Sequence, residues 1–274
     1  MQQHPIGIFD SGYGGLTVMR DLVQQLPAYD YLYLGDNARA PYGDRSFETV
    51  YQYTLQCVSW LFSQGCPLVI LACNTASAKA LRTIQQQDLP LKWPNHRVLG
   101  VIRPTTEVIG SMSETGHIGI LGTKGTIQSE SYLIEIGKFY PEVIVTQQAC
   151  PLWVPMIESD EYHSDAADGI IKQYVQELLE KDPKIDTLLL ACTHYPIIHD
   201  RIRKHAGSHR QIIQQGEIVA SGLKDYLQRH SEIDQQLTKQ GRKQFFTTGD
   251  KMDFNAHGTV FFGQLIDAQH VDIV

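Results

Sequence analysis

One short pattern constrains this chain more than any other: an apolar run ending in alanine and cysteine occurs twice, as Leu68-Val-Ile-Leu-Ala-Cys73 and as Thr187-Leu-Leu-Leu-Ala-Cys192. Each run is too short for a helix and too continuously apolar for a strand with one wet face, so each reads as a parallel strand buried on both sides. A fainter echo pairs Ile8-Phe9-Asp10-Ser11 with Ile120-Leu121-Gly122-Thr123, again a strand running into a small polar loop. The chain therefore reads as two pseudo-repeats. In open α/β sheets, ligands gather at the carboxyl ends of the strands, so two such halves facing each other enclose a cleft with a thiol on either wall.

Around these runs, short apolar stretches alternate with helical periodicity, the pattern of an α/β fold with mostly parallel strands. Residues 6–9 predict a strand, Gly12, Gly14 and Gly15 a turn, and Leu16, Met19, Leu22, Val23 and Leu26 a helix that stops at Pro27. A strand at 31–34 follows, then an amphipathic helix marked by Tyr51, Leu55, Val58, Leu61 and Phe62, then the strand at 68–72. Ala76, Ala80, Leu81 and Ile84 continue as a helix. The pattern restarts with strands at 98–102, 118–121 and 143–147, a long helix from Asp165, the strand at 187–191 and a helix beginning near Pro196. Beyond residue 211 short elements resume, including a strand at 245–247. The expected architecture is two pseudo-symmetric α/β domains with mostly parallel sheets and an active site in the interdomain cleft. The first domain takes residues 1–97 plus 211–274, and the second takes 98–210.

Composition narrows the function. With 274 residues, 42% of them hydrophobic, the chain can bury a core without disulfides or a structural metal. Its 23 Lys and Arg against 30 Asp and Glu give a net charge of −7, the wrong sign for gripping a phosphate backbone, so no direct nucleic-acid partner is expected. The longest apolar runs, such as 67–73, fall far short of the roughly 20 residues that span a bilayer. Residues 1–9 carry no basic start followed by an apolar stretch, which points to a cytoplasmic location. Five cysteines, an odd number, are expected as free thiols there.

A cysteine between a strand and the first turn of a helix feels unpaired N–H groups, which can lower its pKa below the free value of roughly 8.5. Cys73 precedes Asn74-Thr75 and Cys192 precedes Thr193-His194, polar companions that can hold a small ligand. If one thiolate takes a proton from a carbon and the opposite thiol returns one to the other face, the stereocentre inverts. Such a pair catalyses racemisation. Cys57, Cys66 and Cys150 have no matching context and are expected to be packing residues. A redox pair would more commonly show C-x-x-C spacing, and zinc requires more ligands than two thiols. Asp10-Ser11 can supply a base and a hydroxyl, and the Gly12 to Gly15 loop either frees N–H groups for a carboxylate or is an ordinary turn. Pro41-Tyr42-Gly43 offers a phenol and exposed amides. Thr123 and Thr126 offer hydroxyls or a helix cap. His194 can tune the neighbouring thiol, and Glu158 is either a surface charge or its support.

Four segments carry a family resemblance: Gly7-Ile-Phe-Asp10-Ser11-Gly12-Tyr-Gly14-Gly15, Gly35-Asp36-Asn37-Ala-Arg-Ala-Pro41-Tyr42-Gly43, Ala72-Cys73-Asn74-Thr75-Ala76-Ser77 and Ala191-Cys192-Thr193-His194-Tyr195-Pro196. They resemble the glutamate racemase family of the cofactor-independent aspartate/glutamate racemase superfamily. Shorter matches at Gly122-Thr123 through Thr126 and Ser129, at Cys150-Pro151 through Glu158, and at Thr247-Thr248-Gly249-Asp250 extend it over nearly the whole chain. The resemblance implies two α/β domains, no cofactor, no metal, a homodimer, and D-glutamate made from L-glutamate for peptidoglycan. It implies that Cys73 and Cys192 are the acid/base thiols, with Asp10 beside the first and His194 and Glu158 near the second. It further implies a substrate-binding set of Asp10, Ser11, Pro41, Tyr42, Gly43, Asn74, Thr75, Thr123, Thr126, Thr193 and His194, and that Cys73 deprotonates D-glutamate while Cys192 deprotonates L-glutamate. Two segments depart from the family pattern. Arg103 stands where an acidic residue is usual, and Gln214-Gln215-Gly216-Glu217 replaces the usual Asp-Ser-small segment. The alternatives are an aspartate racemase of the same superfamily, and a non-catalytic relative acting through a protein partner such as DNA gyrase.

Overall fold

The computed structural model describes residues 4–273; residues 1–3 and 274, part of the first domain as drawn from the sequence, lie outside the described residues. Ten strands form two sheets: β1 (Ile6–Asp10), β2 (Tyr31–Gly35), β3 (Leu68–Leu71), β4 (Arg97–Gly100), β5 (His117–Gly122), β6 (Ile144–Ala149), β7 (Thr187–Ala191), β8 (Gln211–Ile213), β9 (Lys243–Thr247) and β10 (Ala268–His270). The larger sheet has the order β10-β9-β2-β1-β3-β4 and the smaller β6-β5-β7-β8. Every pairing is parallel. The segment β2-β1-β3-β4 and the whole smaller sheet thus repeat one strand order, with β1 and β5, β3 and β7 in equivalent places.

That equivalence explains the echoes in the sequence. In each repeat the second strand goes to one side of the first and the third to the other, which opens a crevice beyond their carboxyl ends. Phe9 pairs with Leu71, so Asp10 and Ser11 emerge beside Cys73. Gly122 pairs with both Ala149 and Ala191, so Thr123, Cys150 and Cys192 emerge side by side from the smaller sheet. Strands β1, β2, β3 and β7 are buried along their whole length, as their unbroken apolar runs require.

Two strands lie on the other side of the division expected at residues 98 and 211. The strand at Arg97–Gly100 pairs with β3 in the larger sheet, and Val98 packs into the core around Val69 and Ile84. Gln211–Ile213 pairs with β7 in the smaller sheet. Each is the edge strand of its βαβ unit, where a short, partly wet run gives little apolar signal. The chain crosses between sheets through the helix Ile102–Thr106 and returns through Gln214 and Gln215 into the helix Gly216–Arg229.

Helix starts follow the caps. Ser46 accepts from the Thr49 N–H at 3.1 Å ahead of Phe47–Ser63, and Ser164 accepts from the Ala167 N–H at 3.1 Å ahead of Asp165–Lys181. The helix after Cys73 is not continuous to Ile84: it stops at Lys79, and short segments lead to a wider π turn at Ile84–Asp88, just before Pro90, whose missing N–H breaks regular helical bonding. Pro196 sits in a 3-10 turn, Tyr195–Ile198, ahead of the helix His199–Ala206.

The two halves meet closely at Gly14. A Cβ there would come within 2.3 Å of Thr193 Oγ1 and 2.5 Å of His194 Nδ1, across the cleft. Gly14→Ala is therefore expected to destabilise the protein by about 1–3 kcal/mol, the cost of overpacking. Gly137 lies in the helix Ser131–Phe139, and a Cβ there would meet nothing within 4 Å. Gly137→Ala should stabilise by about 0.4–1 kcal/mol. Urea melts of both variants check the opposite signs, and a Gly14→Ala melt matching wild type would refute the close approach.

Candidate active site

Cys73 stands at the turn between β3 and the helix Asn74–Lys79 and caps that helix, its Sγ accepting from the Ala76 N–H at 3.4 Å. Ser11 Oγ lies 3.5 Å away. The sequence suggests that a helix end lowers such a thiol. The structure reverses this: burial dominates, the Asp10 carboxylate adds to it, the bonds from Ala76 and Ser11 oppose it only in part, and the Cys73 thiol is pushed up to about 12. Cys73 is accordingly a protonated thiol at neutral pH.

Asp10 ends β1 and is fully buried, which raises its carboxyl above the usual range even though His194 pulls the other way. Its Oδ2 accepts from the Gly12 N–H at 2.9 Å and its Oδ1 from the Thr193 hydroxyl at 3.3 Å. The N–H that the glycine loop could lend a ligand carboxylate at Gly12 thus goes to Asp10 instead.

Cys192 follows β7. Its Sγ lies 3.9 Å from Nδ1 of His194, whose Nε2 is 3.0 Å from Glu158 Oε1. Burial alone would lower the His194 imidazole, but the Cys192 sulfur and the Glu158 carboxylate outweigh it and hold His194 up at about 10. An imidazolium clamped between a sulfur and a carboxylate results, and the Phe261 ring stands edge-on to it at 5.3 Å. The two sulfurs therefore sit in opposite fields, one beside a carboxyl group and the other beside a cation.

Both thiols line one narrow cavity of about 40 Å³. Ser11, Pro41, Tyr42, Gly43, Asn74, Thr75, Thr123, Glu158, Thr193 and His194 line it with them. Asp10 and Thr126 do not; they lie directly behind, Asp10 under Thr193 and Thr126 behind the Thr75 and Thr123 hydroxyls, at 3.3 and 3.0 Å. Thr123 also caps the helix Lys124–Gln128. The Tyr42 phenol turns away from the cavity and donates to Asp36, which Arg39 holds at 2.8 Å. The wall is closed by bonds between the halves: the Gly125 N–H donates to the Gly43 carbonyl at 2.8 Å, and Thr75 and Thr123 share a 2.9 Å hydroxyl contact.

Several residues lie outside the set expected from sequence, Asp44 and Lys124 on the cavity wall among them. Cys150, expected only to pack, lines the cavity beside Pro151, Val154 and Pro155 because it follows β6 in register with Cys192. Buried Lys79 donates to the Arg45 carbonyl at 2.7 Å and holds the loop after Gly43. Tyr132 and Gln215 bond to Asn74 from behind. A departure from the family pattern marked Gln215, but nothing in the spacing linked it to Asn74. Cys57 and Cys66 are fully buried in the core, as expected. Among the described residues, no three of His, Cys, Asp and Glu cluster as metal ligands would.

Known proteins are similar to this chain in sequence and fold. The family model described as Asp/Glu/Hydantoin racemase matches residues 6–221. A glutamate racemase of Streptococcus gordonii is 36% identical over 275 aligned positions, covering 100% of both chains. The crystal structure of glutamate racemase isoform RacE1 from Bacillus anthracis superposes with a TM-score of 0.89 at 34% identity, covering 100% of this chain and 99% of that one. That of the Francisella tularensis glutamate racemase in complex with D-glutamate superposes with a TM-score of 0.86 at 29% identity and the same coverage. With its paired strand-end thiols, its repeated sheet order and these full-length matches, the chain belongs to the Asp/Glu/hydantoin racemase family, among the glutamate racemases.

Proposed function

We propose that this protein interconverts L- and D-glutamate without a cofactor, supplying D-glutamate for peptidoglycan, with Cys73 and Cys192 as its acid/base pair. The observation that carries this reading is the pair of thiols in one cavity with opposite charged neighbours, Asp10 behind Cys73 and the His194–Glu158 pair behind Cys192. A sulfur beside an imidazolium is suited to be a base, and a sulfur beside a buried carboxyl group is suited to stay protonated and be an acid.

Starting from L-glutamate, the Cys192 sulfur takes the Cα proton. The Cα–H bond breaks, an S–H bond forms, and the electron pair spreads into the α-carboxylate. The Cys73 thiol then delivers its proton to the opposite face of Cα, giving D-glutamate and a Cys73 thiolate. The reverse reaction exchanges the two roles. The α-proton is very weakly acidic, so fixed donors must stabilise the carbanion-like transition state. Ser11, Asn74, Thr75, Thr123 and Thr193 surround the cavity with such groups.

Among the described residues, no helix is long and apolar enough to cross a membrane. A cytoplasmic location and a homodimer complete the proposal, the latter tested by light scattering. Neither alternative gains support: both thiols are present, and the curated relatives reported above are glutamate racemases.

Circular dichroism with L-glutamate tests the reaction. Decay of the optical signal to zero is expected, and a constant signal from folded, reduced protein would overturn the proposal. Cys73→Ser and Cys192→Ser should each lower racemisation by at least about a thousandfold, since serine is too weak an acid to exchange the proton. With an analogue carrying a β-leaving group, which needs one deprotonation only, Cys73→Ser should still act on the L form and Cys192→Ser on the D form. Equal losses on both enantiomers would contradict the division of labour.

His194 generates a pH test. Its pKa in the folded protein, about 10, lies above the ordinary 6.5, so its contribution to stability is complete below 6.5 and disappears as pH rises through about 10. Between these values the wild type should lose stability more steeply than His194→Asn. Parallel pH profiles in urea melts would mean that His194 is neutral in the folded state.

A further inference from the structure

Behind the cavity, three buried side chains form a closed ring of hydrogen bonds. Asn74 Nδ2 donates to Gln215 Oε1 at 2.7 Å, Gln215 Nε2 donates to the Tyr132 hydroxyl at 2.6 Å, and that hydroxyl donates back to Asn74 Oδ1. Asn74, Tyr132 and Gln215 are at most 5% exposed. They come from three places: Asn74 from the helix after β3, Tyr132 from the helix Ser131–Phe139 on the smaller sheet, and Gln215 from the return crossover.

The direction of the ring is fixed from outside it. Gln215 Nε2 also donates to Thr105 Oγ1 at 2.9 Å and lies 3.4 Å from the Val101 carbonyl, while Thr105 Oγ1 donates to that same carbonyl at 2.8 Å. A carbonyl has no hydrogen to give. With its only hydrogen committed to Val101, Thr105 can only accept from Gln215. Turning the Gln215 amide over would set its oxygen against two acceptors, so the outgoing crossover holds the nitrogen in place. Gln215 Oε1 must then face Asn74, which forces Asn74 Nδ2 toward it and Oδ1 toward Tyr132. Asn74 Nδ2 keeps a second N–H beyond its bond to Gln215, and Asn74 lines the cavity.

We infer that Gln215 is a positioning residue of the active site, which selects the single amide orientation in which Asn74 presents an N–H to the substrate. The inference rests on the racemase reading for its kinetic consequence, but not for its geometry. Neither partner of Asn74 comes from its own helix, so its orientation depends on both crossovers being in place and on the smaller sheet being docked.

The experiment is a double-mutant cycle between Gln215→Met and Asn74→Ala, read as kcat/KM for L-glutamate, together with NMR of the side-chain amides in the ligand-free protein. Gln215→Met should lower kcat/KM about tenfold, as expected for one misplaced hydrogen bond, and should cost nothing further once Asn74 is alanine. Gln215→Glu still sets an oxygen against Asn74 Nδ2 whichever way its carboxylate turns, and should recover part of the loss. Tyr132→Phe removes the bond to Asn74 Oδ1 but leaves Gln215 held by Thr105, so it should cost less than Gln215→Met does; an equal or larger loss would overturn the role given to Gln215. In the wild type, the Asn74 amide protons should be resolved and slow to exchange; in Gln215→Met they should collapse to ordinary values. Multiplying losses in the cycle, or an unchanged Asn74 amide in folded Gln215→Met, would overturn the inference. A wild type with protected Asn74 amides but no racemisation would instead refute the function and leave the ring standing.

Discussion

Everything in this site depends on how two sulfur atoms are kept unlike each other. Both end a buried parallel strand and both precede a short polar segment, so local backbone alone would make them equivalent. The difference comes from what lies behind them. Burial raises the Cys73 thiol and the Asp10 carboxylate adds to it, while His194, backed by Glu158, gives Cys192 a cationic neighbour. Burying a carboxyl group and an imidazolium is costly unless each has partners. Gly12 and Thr193 serve Asp10, and Cys192 and Glu158 serve His194. Thr193 reaches Asp10 across the cleft, so the electrostatics of one half are completed by the other.

The closed cleft is built from contacts that tolerate little extra volume. Gly14 meets Thr193 and His194, Gly43 meets Thr123, and a Cβ on Gly125 would lie 2.7 Å from the Gly43 carbonyl. These glycines serve approach between chain segments, and none of the three has the positive φ that turn glycines show. The Gly12 to Gly15 loop, which the sequence leaves open between an anion cradle and an ordinary turn, is here a fitted seam, with its Gly12 N–H spent on the protein's own carboxylate.

Much of the fold was legible because β1, β2, β3 and β7 are buried on both faces and their apolar runs are uninterrupted. The repeat could be read for the same reason: the strands ending at Leu71 and Ala191 hold equivalent places in their sheets and are buried along their whole length. Edge strands β4 and β8 were assigned to the wrong half because an edge is half wet and its partner is chosen by the crossover, not by its own residues. In the site, residues flanking the thiols were accessible to inspection, since strand and loop neighbours in sequence are neighbours in space. The raised thiol of Cys73, the wall position of Cys150 and the reach of Tyr132 and Gln215 to Asn74 all come from strand register and packing between halves. Linear spacing carries no trace of them.

The chain passes between the two sheets twice, outward after β4 and back after β8, and the two passages touch through Gln215 and Thr105. Two bodies joined at two adjacent points behave like a door on a pair of hinges. They keep one easy swing and lose the sliding and twisting freedoms that a single tether would allow. For a reaction whose only product difference is handedness, that restriction is itself stereochemical information, since the two faces of a bound carbon are distinguished only by which wall stands on which side.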